Sequence, residues 1–196
     1  MQLKEITFEE FKNKMLDSYN ELFPEDERKE LSTIKRCYDL GVEKIYGIVV
    51  DNTYVGFIMA EKLGDSYPYY GDYFAIFKKY QNRGYGSESF KLFLDNVVND
   101  GCLIGEIEQL DKGIDEKDNS NRLRRYNFYK QFDIKTSKTR EYLLFNVLYI
   151  PVYFSTYEID DEKLDKFFID YYIFNINNQK IFNENVKIII NENKVK

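Results

Sequence analysis

Apolar and polar residues at the start of the chain follow a pattern that predicts one strand and two helices. Residues 1–6 have the pattern of a short strand, and Thr7 with an acidic residue three positions later forms a capping box. Apolar side chains then recur at helical spacing as far as Leu22. Pro24 is expected to open a second helix that ends at Gly41. The buried stripe of that helix is predicted to contain Leu31, Ile34, Cys37 and Leu40.

The centre of the chain changes to a period of two, which is typical of strands. Lys44–Val50 and Tyr54–Glu61 are rich in β-branched and aromatic residues and predict an antiparallel hairpin. A third strand is predicted at Asp72–Phe77. An amphipathic helix over Ser87–Val98 and a strand over Cys102–Glu108 follow.

The last part of the chain predicts further strands and helices in a single mixed α/β domain. A helix should end near Phe132, and Glu141–Phe154 has the pattern of a double strand that is broken near Pro151. Asp160 can cap a last helix, and a polar stretch leads to a final strand at Val186–Ile190. The apolar positions of that last helix are Leu164, Phe167, Phe168 and Tyr171.

Composition supports a folded protein with a sizeable core. The chain has 196 residues, of which 43% are hydrophobic, including 18 Tyr and 16 Phe. This excludes the disordered and fibrous classes. Residues 1–5 include no apolar segment typical of a signal peptide, and no apolar run is long enough to span a membrane. We therefore expect a cytoplasmic protein that is not bound to membranes.

The absence of histidine removes several kinds of catalytic chemistry. With no His in the sequence, Ser-His-Asp triads, Cys-His pairs and His-ligated metals are excluded. Cys37 and Cys102 are too few for a zinc site, and without an export signal we expect both to be buried and reduced. No metal is therefore expected. Proton transfer is left to Glu, Asp, Tyr, Lys, Cys or water.

The charge balance argues against nucleic acid as a partner. The sequence has 28 Lys and Arg against 34 Asp and Glu, so the formal net charge is −6. Nucleic-acid binding needs a basic footprint, and the one basic cluster, residues 122–125, is too short to read a groove. That cluster could still meet a small phosphorylated ligand.

The most informative feature is the segment Gln81–Gly86, which joins a predicted strand to a predicted helix. Its glycines permit close approach of a ligand to the backbone, and the following helix N-terminus favours phosphate. The dinucleotide fingerprint is excluded because Ser89 stands where it needs a third glycine. The P-loop is excluded because its Gly-Lys-Ser/Thr ending is absent.

The pattern Gln/Arg-x-x-Gly-x-Gly/Ala in this position resembles the acyl-CoA pyrophosphate loop of the GNAT superfamily of N-acetyltransferases. The resemblance extends over roughly residues 1–155. Tyr73–Ile76 resembles the fourth strand of the family and Ser87–Val98 its third helix. Arg124–Tyr129 resembles the fourth helix, whose motif ends in an aromatic or aliphatic residue and Tyr. Phe23–Arg28 is similar to a stretch found in one GNAT subgroup.

Two positions depart from the family pattern. The Gly-Phe pair that usually follows the Tyr helix is Asp133-Ile134 here. Because Asp tolerates the left-handed conformation, we expect the turn to be preserved. The Asn that many members have seven residues before the Tyr is Arg122 here, so no polar contact to CoA is assigned to that position.

The resemblance implies a fold and an organisation of the chain. The implied fold is α/β, with a mostly antiparallel central sheet flanked by helices and an extra C-terminal helix and strand. Residues 1–155 would form the GNAT-like domain, and residues 156–196 would form an extension packed on the same domain. That aromatic extension would cap the core or build a homodimer.

The resemblance also implies a reaction and a set of site residues. Acetyl-CoA would donate an acetyl group to the amine of a small molecule or peptide by direct attack, without a metal. Tyr129 would be the general acid, although core packing is the alternative for a Tyr among aromatic neighbours. Main-chain N–H groups would bind the donor at Phe74, Ala75 and Ile76 and along Gln81, Asn82, Arg83, Gly84, Tyr85, Gly86 and Ser87.

The general base is less clearly indicated than the acid. Glu106 is the first candidate, and Glu108 shares its strand face because the two residues lie two apart. Asp72 and Glu61 are weaker candidates, and an ordinary exposed strand face remains an alternative for the first pair. The charges of Arg124 and Arg125 could reach CoA phosphates or could simply be exposed helix charges.

Two other functional classes remain open. A catalytically silent acyl-CoA-binding or regulatory protein would keep the loop but would not need Tyr129. A structural or interaction module is favoured only by the aromatic segment 156–196. The sequence does not identify the amine acceptor.

Overall fold

Nine strands and seven α-helices make up most of residues 1–99 and 101–190, which the computed structural model describes. The end of the predicted C-terminal extension, residues 191–196, lies outside the described residues. The chain divides into two units, Met1–Asp100 and Gly101–Lys196. The predicted fold class, a mixed α/β architecture with a mostly antiparallel sheet flanked by helices, is confirmed.

The first unit contains four antiparallel strands in chain order. The middle two strands form the predicted hairpin, whose turn residues Asp51 and Asn52 have φ of 48° and 62°. Asn and Asp tolerate this left-handed conformation, which a tight hairpin turn requires at both positions. The strands are β1 (Gln2–Glu5), β2 (Glu43–Val50), β3 (Thr53–Glu61) and β4 (Tyr69–Ile76).

Four α-helices accompany these strands: α1 (Phe8–Lys14), α2 (Leu16–Leu22), α3 (Leu31–Asp39) and α4 (Tyr85–Phe93). The predicted cap is confirmed, since the Thr7 hydroxyl accepts a hydrogen bond from the Glu10 N–H at 3.1 Å. The predicted first helix is interrupted at Met15. The predicted third helix of the family is present as α4, followed by a π-helical turn over Leu94–Val98.

The helix expected to open at Pro24 begins later than predicted. Only a 3-10 turn forms at Glu25–Glu27, and α3 starts at Leu31. The intervening chain is held by a tertiary contact, because the Lys29 N–H donates to the Tyr73 hydroxyl at 2.8 Å. The prediction that Leu40 is buried is also wrong, since it follows the end of α3 and its side chain is 61% exposed.

The core of the first unit contains aromatic side chains from the early helices and from β3 and β4. Phe11, Ile45 and Phe57 have no exposed surface. The rings of Phe11 and Phe57 meet edge to face with centroids 5.7 Å apart, a favoured aromatic geometry. Tyr73 on β4 makes a similar contact with Tyr19 at 4.9 Å. This packing fixes the position of β4, which leads into the Gln81–Gly86 loop.

Within the second unit the strands pair antiparallel in the order β5–β8–β7–β9, with β6 paired to β8. The last described strand pairs with β7, so residues 186–190 are part of this unit's sheet. The strands are β5 (Cys102–Glu108), β6 (Lys135–Thr136), β7 (Arg140–Leu144), β8 (Val147–Ser155) and β9 (Val186–Ile190). The helices are α5 (Glu116–Lys130), α6 (Asp161–Ile176) and α7 (Gln179–Asn185).

Two predictions for the second unit need correction. The double strand turns at Phe145 and Asn146, where φ is positive, and Pro151 lies within β8 rather than at a break. Proline has no N–H to donate, and its carbonyl accepts a hydrogen bond from the Ser137 N–H at 3.2 Å. The polar stretch before the last strand, predicted without regular structure, contains α7.

Other predictions for this unit are confirmed. Asp160 caps α6 by accepting from the Lys163 N–H at 2.8 Å, and the four predicted apolar positions of α6 are buried. Asp133 adopts φ of 56°, as expected for the residue replacing glycine. Cys37 and Cys102, one in each unit, are buried thiols that are not joined in a disulfide. Among the described residues, no helix combines the length and the apolar character needed to cross a membrane.

Candidate functional site

The Gln81–Gly86 loop contains two residues in the left-handed conformation. Asn82 has φ of 61° and Gly84 has φ of 82°. A Cβ atom added to Gly84 would meet nothing within 4 Å, so the conformation rather than the space favours glycine there. The four loop positions 81–84 are exposed. The two left-handed residues turn the chain from the end of β4 into α4.

Side chains of the loop fold back and hold it in place. The Gln81 side-chain amide donates to the Ile76 carbonyl at 2.9 Å, and the Arg83 guanidinium donates to the Lys79 carbonyl at 3.1 Å. Both acceptors lie in the chain that enters the loop. The connection is therefore braced by its own polar side chains.

The N-terminus of α4 is suited to binding an anion. Gly84 is the N-cap, and no described side chain caps the helix. The first N–H groups of an α-helix have no acceptor within the helix, and the helix dipole places partial positive charge at this end. Ser89, at the position where a dinucleotide loop needs glycine, is fully buried and donates to the Gly86 carbonyl at 3.1 Å. The arrangement provides main-chain donors for phosphate oxygens.

Basic side chains lie beside this loop. The Lys79 ammonium is 4.8 Å from the Tyr80 ring centroid, and the Arg83 guanidinium is 5.7 Å from it. Lys78 is paired with Glu21 at 3.0 Å, and both side chains are more than half exposed. Sequence reasoning missed Lys79 and Tyr80, although the Lys-Lys-Tyr run directly before the loop was a signal for local positive charge.

The predicted donor-binding strand segment lies at the end of β4. Phe74, Ala75 and Ile76 face Ile58, Phe57 and Gly56 on β3. Gly56 is required by close approach, because a Cβ there would lie 2.2 Å from the Ala75 carbonyl oxygen. The Phe74 ring packs on Phe90 of α4 with centroids 5.5 Å apart. Packing thus fixes this segment relative to α4.

The two weaker base candidates are both engaged by a lysine. The Lys29 ammonium lies 2.8 Å from a Glu61 carboxylate oxygen and 2.7 Å from one of Asp72. Burial raises the pKa of Asp72 to about 6 against the lowering effect of Lys29. Sequence reasoning missed Glu43, whose carboxyl lies beside these two acids. A bulge at Ile48/Val49 shifts the hairpin register and brings Glu43 opposite Glu61, which the sequence did not signal.

In the second unit, Tyr129 lies on α5 in an aromatic environment. Its ring contacts Phe128 and Phe154, with centroid distances of 5.1 Å and 6.1 Å. Burial raises the pKa of Tyr129 to about 12, while Arg125 lowers it and Glu108 raises it further. The phenol is therefore protonated at neutral pH, as a general acid must be before it acts.

Both glutamates of β5 have specific partners within the second unit. The Tyr172 hydroxyl of α6 donates to a Glu106 carboxylate oxygen, and Arg125 forms an ion pair with Glu108. Sequence reasoning missed Tyr172 because it lies 66 positions from Glu106 along the chain. Glu106 and Glu108 thus differ in surroundings, one held by a phenol and the other by a cation.

The arginine cluster of α5 does not act as one basic patch. Arg122 is 8% exposed and bonds to Asp118 and to the Gln109 carbonyl. Arg124 is exposed, and Arg125 is paired with Glu108. The hydrogen bonds of its guanidinium explain how α5 tolerates a buried Arg122 where the family pattern has Asn, because the buried charge is satisfied locally.

A profile of the acetyltransferase (GNAT) family matches residues 8–131, which is more than half of the chain. The chain belongs to the GNAT acetyltransferase family. Acetyl transfer is the general activity of this family. The matched range contains the loop, α4 and Tyr129, so each of the predicted motifs lies in the GNAT part of the chain.

Solved structures agree with this family membership at the level of the fold. A Bacteroides thetaiotaomicron protein assigned to the GNAT family is 22% identical, with a TM-score of 0.68 over 88% of this chain and 96% of that one. A spermidine N-acetyltransferase chimera of Vibrio cholerae and hSSAT sequences is 9% identical, with a TM-score of 0.57 over 85% and 97%. An aminoglycoside 6'-N-acetyltransferase complexed with coenzyme A is 13% identical, with a TM-score of 0.54 over 82% and 100%. No curated protein sequence matched this GNAT chain.

Proposed function

We propose that this protein is an N-acetyltransferase that moves the acetyl group of acetyl-CoA to an amine. The observation that carries the proposal is the exposed loop with Asn82 and Gly84 in the left-handed conformation, leading into the uncapped N-terminus of α4. It lies within the GNAT family match. The coenzyme A present in the aminoglycoside acetyltransferase structure supports the choice of donor.

The residues of the loop fit a pyrophosphate. Main-chain N–H groups between Gln81 and Ser87 would bind its oxygens, and the helix dipole of α4 would favour its charge. Lys79 and Arg83 would add positive charge at the same place. The side chains of Gln81 and Arg83 hold the loop rather than supply its donors, so we expect their individual contributions to be small.

The segment Phe74–Ile76 would bind the acyl end of the donor through its main chain. The thioester oxygen becomes an oxyanion when the amine attacks the carbonyl carbon. A main-chain N–H placed at that oxygen is worth about 3–4 kcal/mol in the transition state. Packing of Phe74 on Phe90 keeps this part of the strand rigid, as such a donor requires.

Direct attack involves one bond made, one bond broken and two proton transfers. The amine nitrogen forms a bond to the acetyl carbon, and the bond from that carbon to sulfur breaks. We assign Tyr129 as the acid that protonates the departing thiolate. We assign Glu106 as the base that takes the amine proton, directly or through water. The products are an acetylamide and CoA, and both side chains then exchange protons with solvent.

The acceptor is proposed only as an amine of a small molecule or peptide. Proteins similar in fold include enzymes named for spermidine and for aminoglycosides, which both carry amino groups. The net charge of −6 suits a cationic acceptor.

The proposal is tested by CoA release from acetyl-CoA in the presence of candidate amines. The panel contains polyamines, aminoglycosides, amino acids and peptides with free N-termini. Amine-dependent CoA release with formation of the acetylated amine, seen by mass spectrometry, is the expected result. Binding of acetyl-CoA without turnover on any amine would instead support the catalytically silent alternative. Failure to bind acetyl-CoA at all would contradict both.

A further inference from the structure

Three buried carboxyl groups meet in the first unit on three neighbouring strands. Glu43 on β2, Glu61 on β3 and Asp72 on β4 have carboxyl oxygens that lie within 4.8 Å of one another. Glu43 is 1% exposed and Glu61 is fully buried. Charged side chains are rarely buried unless they are paired, so this acid cluster needs compensating charge.

Lys29 compensates two of the three acids. Its ammonium lies 2.8 Å from Glu61 and 2.7 Å from Asp72. No N–H or hydroxyl group among the described residues donates to either carboxyl oxygen of Glu43, although both oxygens are buried. The neighbouring group is the Asp72 carboxyl, to which Glu43 can donate a hydrogen bond only when it is protonated.

A count of charges shows what the cluster lacks. Three ionised carboxylates and one ammonium would leave a net charge of two negatives in a largely buried site. A buried carboxyl that lacks a partner is far less costly as the neutral acid than as the anion. A metal ion would also supply charge, but it would have to lie against the Lys29 ammonium, which already occupies the space between two of the acids.

Among the groups that act most strongly on the pKa of Glu43, Lys29 is the one cation. From α3, Cys37 has its pKa raised to about 11 by burial and by Glu61, so it is a neutral thiol. The charge of Arg36, on the same helix, lowers the pKa of Cys37 but does not offset the effect of burial. The phenols of Tyr19 and Tyr73 have raised pKa values, through burial above all, and stay neutral.

The ionisation of the cluster members agrees with this count. Burial raises the pKa of Glu43 well above its usual range, and the charge of Asp72 adds to that effect. Burial alone would lower the pKa of Lys29, but Asp72, Glu61 and Glu43 together raise it, so the ammonium remains charged.

We propose that this acid cluster is a proton-binding site, in which Glu43 holds one proton at neutral pH beside the ion pairs of Lys29 with Glu61 and Asp72. The bound proton lets three acids share one lysine inside the first unit. That lysine also fixes the chain before α3, because its N–H donates to Tyr73, whose hydroxyl donates to the Glu27 carbonyl at 3.0 Å.

The proposal predicts the direction in which the stability of the protein changes with pH. Glu43 binds its proton more tightly in the folded protein than in the unfolded chain, where a glutamate titrates near pH 4.3. Its contribution to stability is therefore fully present below about pH 4 and is lost as pH rises through the folded pKa, because the folded state binds more protons there. The variant Glu43→Gln is neutral and nearly the same shape at this position, so its stability should not fall over this pH range.

The test compares melting temperatures of the full chain at about pH 5.5 and about pH 9 for the wild type, Glu43→Gln and Glu61→Gln. We expect Glu43→Gln to melt close to the wild type at the lower pH and roughly 2–4 °C above it at the higher pH. Glu61→Gln removes an ionised partner of Lys29 and should lower the melting temperature at both. Equal destabilisation by the two variants at both pH values would overturn the proposal.

A second measurement needs no stable variant. The side-chain carboxyl ¹³C shift of Glu43 in the wild type reports protonation directly, and we expect the value of a neutral acid at pH 7. A carboxylate shift at that pH would contradict the proposal. So would a melting temperature of the wild type that rises with added Mg²⁺ or Ca²⁺ and falls with chelator, since it would make the cluster a metal site.

Discussion

At the scale of single residues, the surroundings of Tyr129 set how strongly it can act as an acid. Its pKa is raised to about 12, mainly by burial, so the phenol stays protonated over the whole range in which an enzyme is assayed. A raised pKa also makes it a weaker acid toward a thiolate, which is itself a good leaving group. We therefore expect its catalytic contribution to lie toward the lower end of the usual range for proton transfer.

Replacing Tyr129 with Phe removes the hydroxyl and keeps the ring contacts with Phe128 and Phe154. We predict that kcat falls about 10²-fold or more, with acetyl-CoA affinity and melting temperature nearly unchanged. Steady-state kinetics, calorimetry and thermal unfolding of the same preparation check the three quantities. A wild-type rate would leave Tyr129 as a packing residue, and a loss of stability or of CoA binding would give its hydroxyl a structural role.

The base is tested at Glu106, with Glu108 as the matched control on the same strand. If Glu106 takes the amine proton, Glu106→Gln lowers kcat/KM mainly on the acidic side of the pH profile and leaves acetyl-CoA affinity unchanged. Glu108→Gln breaks an ion pair with Arg125 and should not change the acidic side of the profile. A profile that follows only the pKa of the free amine in both variants would mean that no protein base is required.

At the scale of elements, local caps decide where several helices begin. The Asp160 carboxylate accepts the Lys163 N–H at 2.8 Å and starts α6, which carries four buried apolar side chains. Asp160→Ala should lower the free energy of unfolding by about 1 kcal/mol, and Asp160→Asn should lose much less because Asn also caps. Urea unfolding monitored by circular dichroism measures the difference. Equal stability of the two variants would mean that packing alone fixes the start of α6.

The elements also show which parts of the structure a sequence can predict. The hairpin of β2 and β3, the Thr7 and Asp160 caps and the final strand follow from local patterns, and the structure contains all of them. The late start of α3 could not be predicted, because it depends on a contact between Lys29 and Tyr73, which lie 44 positions apart. The meeting of Glu43 with Glu61 depends on a bulge that leaves no mark in the sequence.

The candidate site also contains some features that the sequence predicts and others that it does not. The loop from Gln81 to Gly86 was predictable because glycines and a following amphipathic helix are local signals. The roles of individual acids were not, since the contact of Tyr172 with Glu106 and that of Lys29 with Asp72 join distant parts of the chain. Local chemistry identifies an anion-binding loop, whereas the choice of acid and base depends on tertiary contacts.

At the scale of the whole molecule, the GNAT match extends over residues 8–131, and the chain continues for another 65 residues. Within the second unit, that continuation supplies β9 to the sheet and Tyr172 to Glu106. The C-terminal segment is thus connected to a proposed catalytic residue rather than being an appendage. The roles proposed for residues in both units depend on one central claim, that the loop before α4 binds acetyl-CoA.

Calorimetric titration of acetyl-CoA into the wild type and into Gly86→Val tests that claim most directly. The β-branched side chain would occupy the place where the backbone approaches the pyrophosphate, while valine is no worse than glycine in a helix, so the fold should persist. Gly64→Val is the matched control, because a Cβ at that exposed glycine meets nothing within 4 Å. We predict saturable binding by the wild type and by Gly64→Val, and no detectable binding by a folded Gly86→Val. Unchanged affinity in a folded Gly86→Val protein would contradict the account.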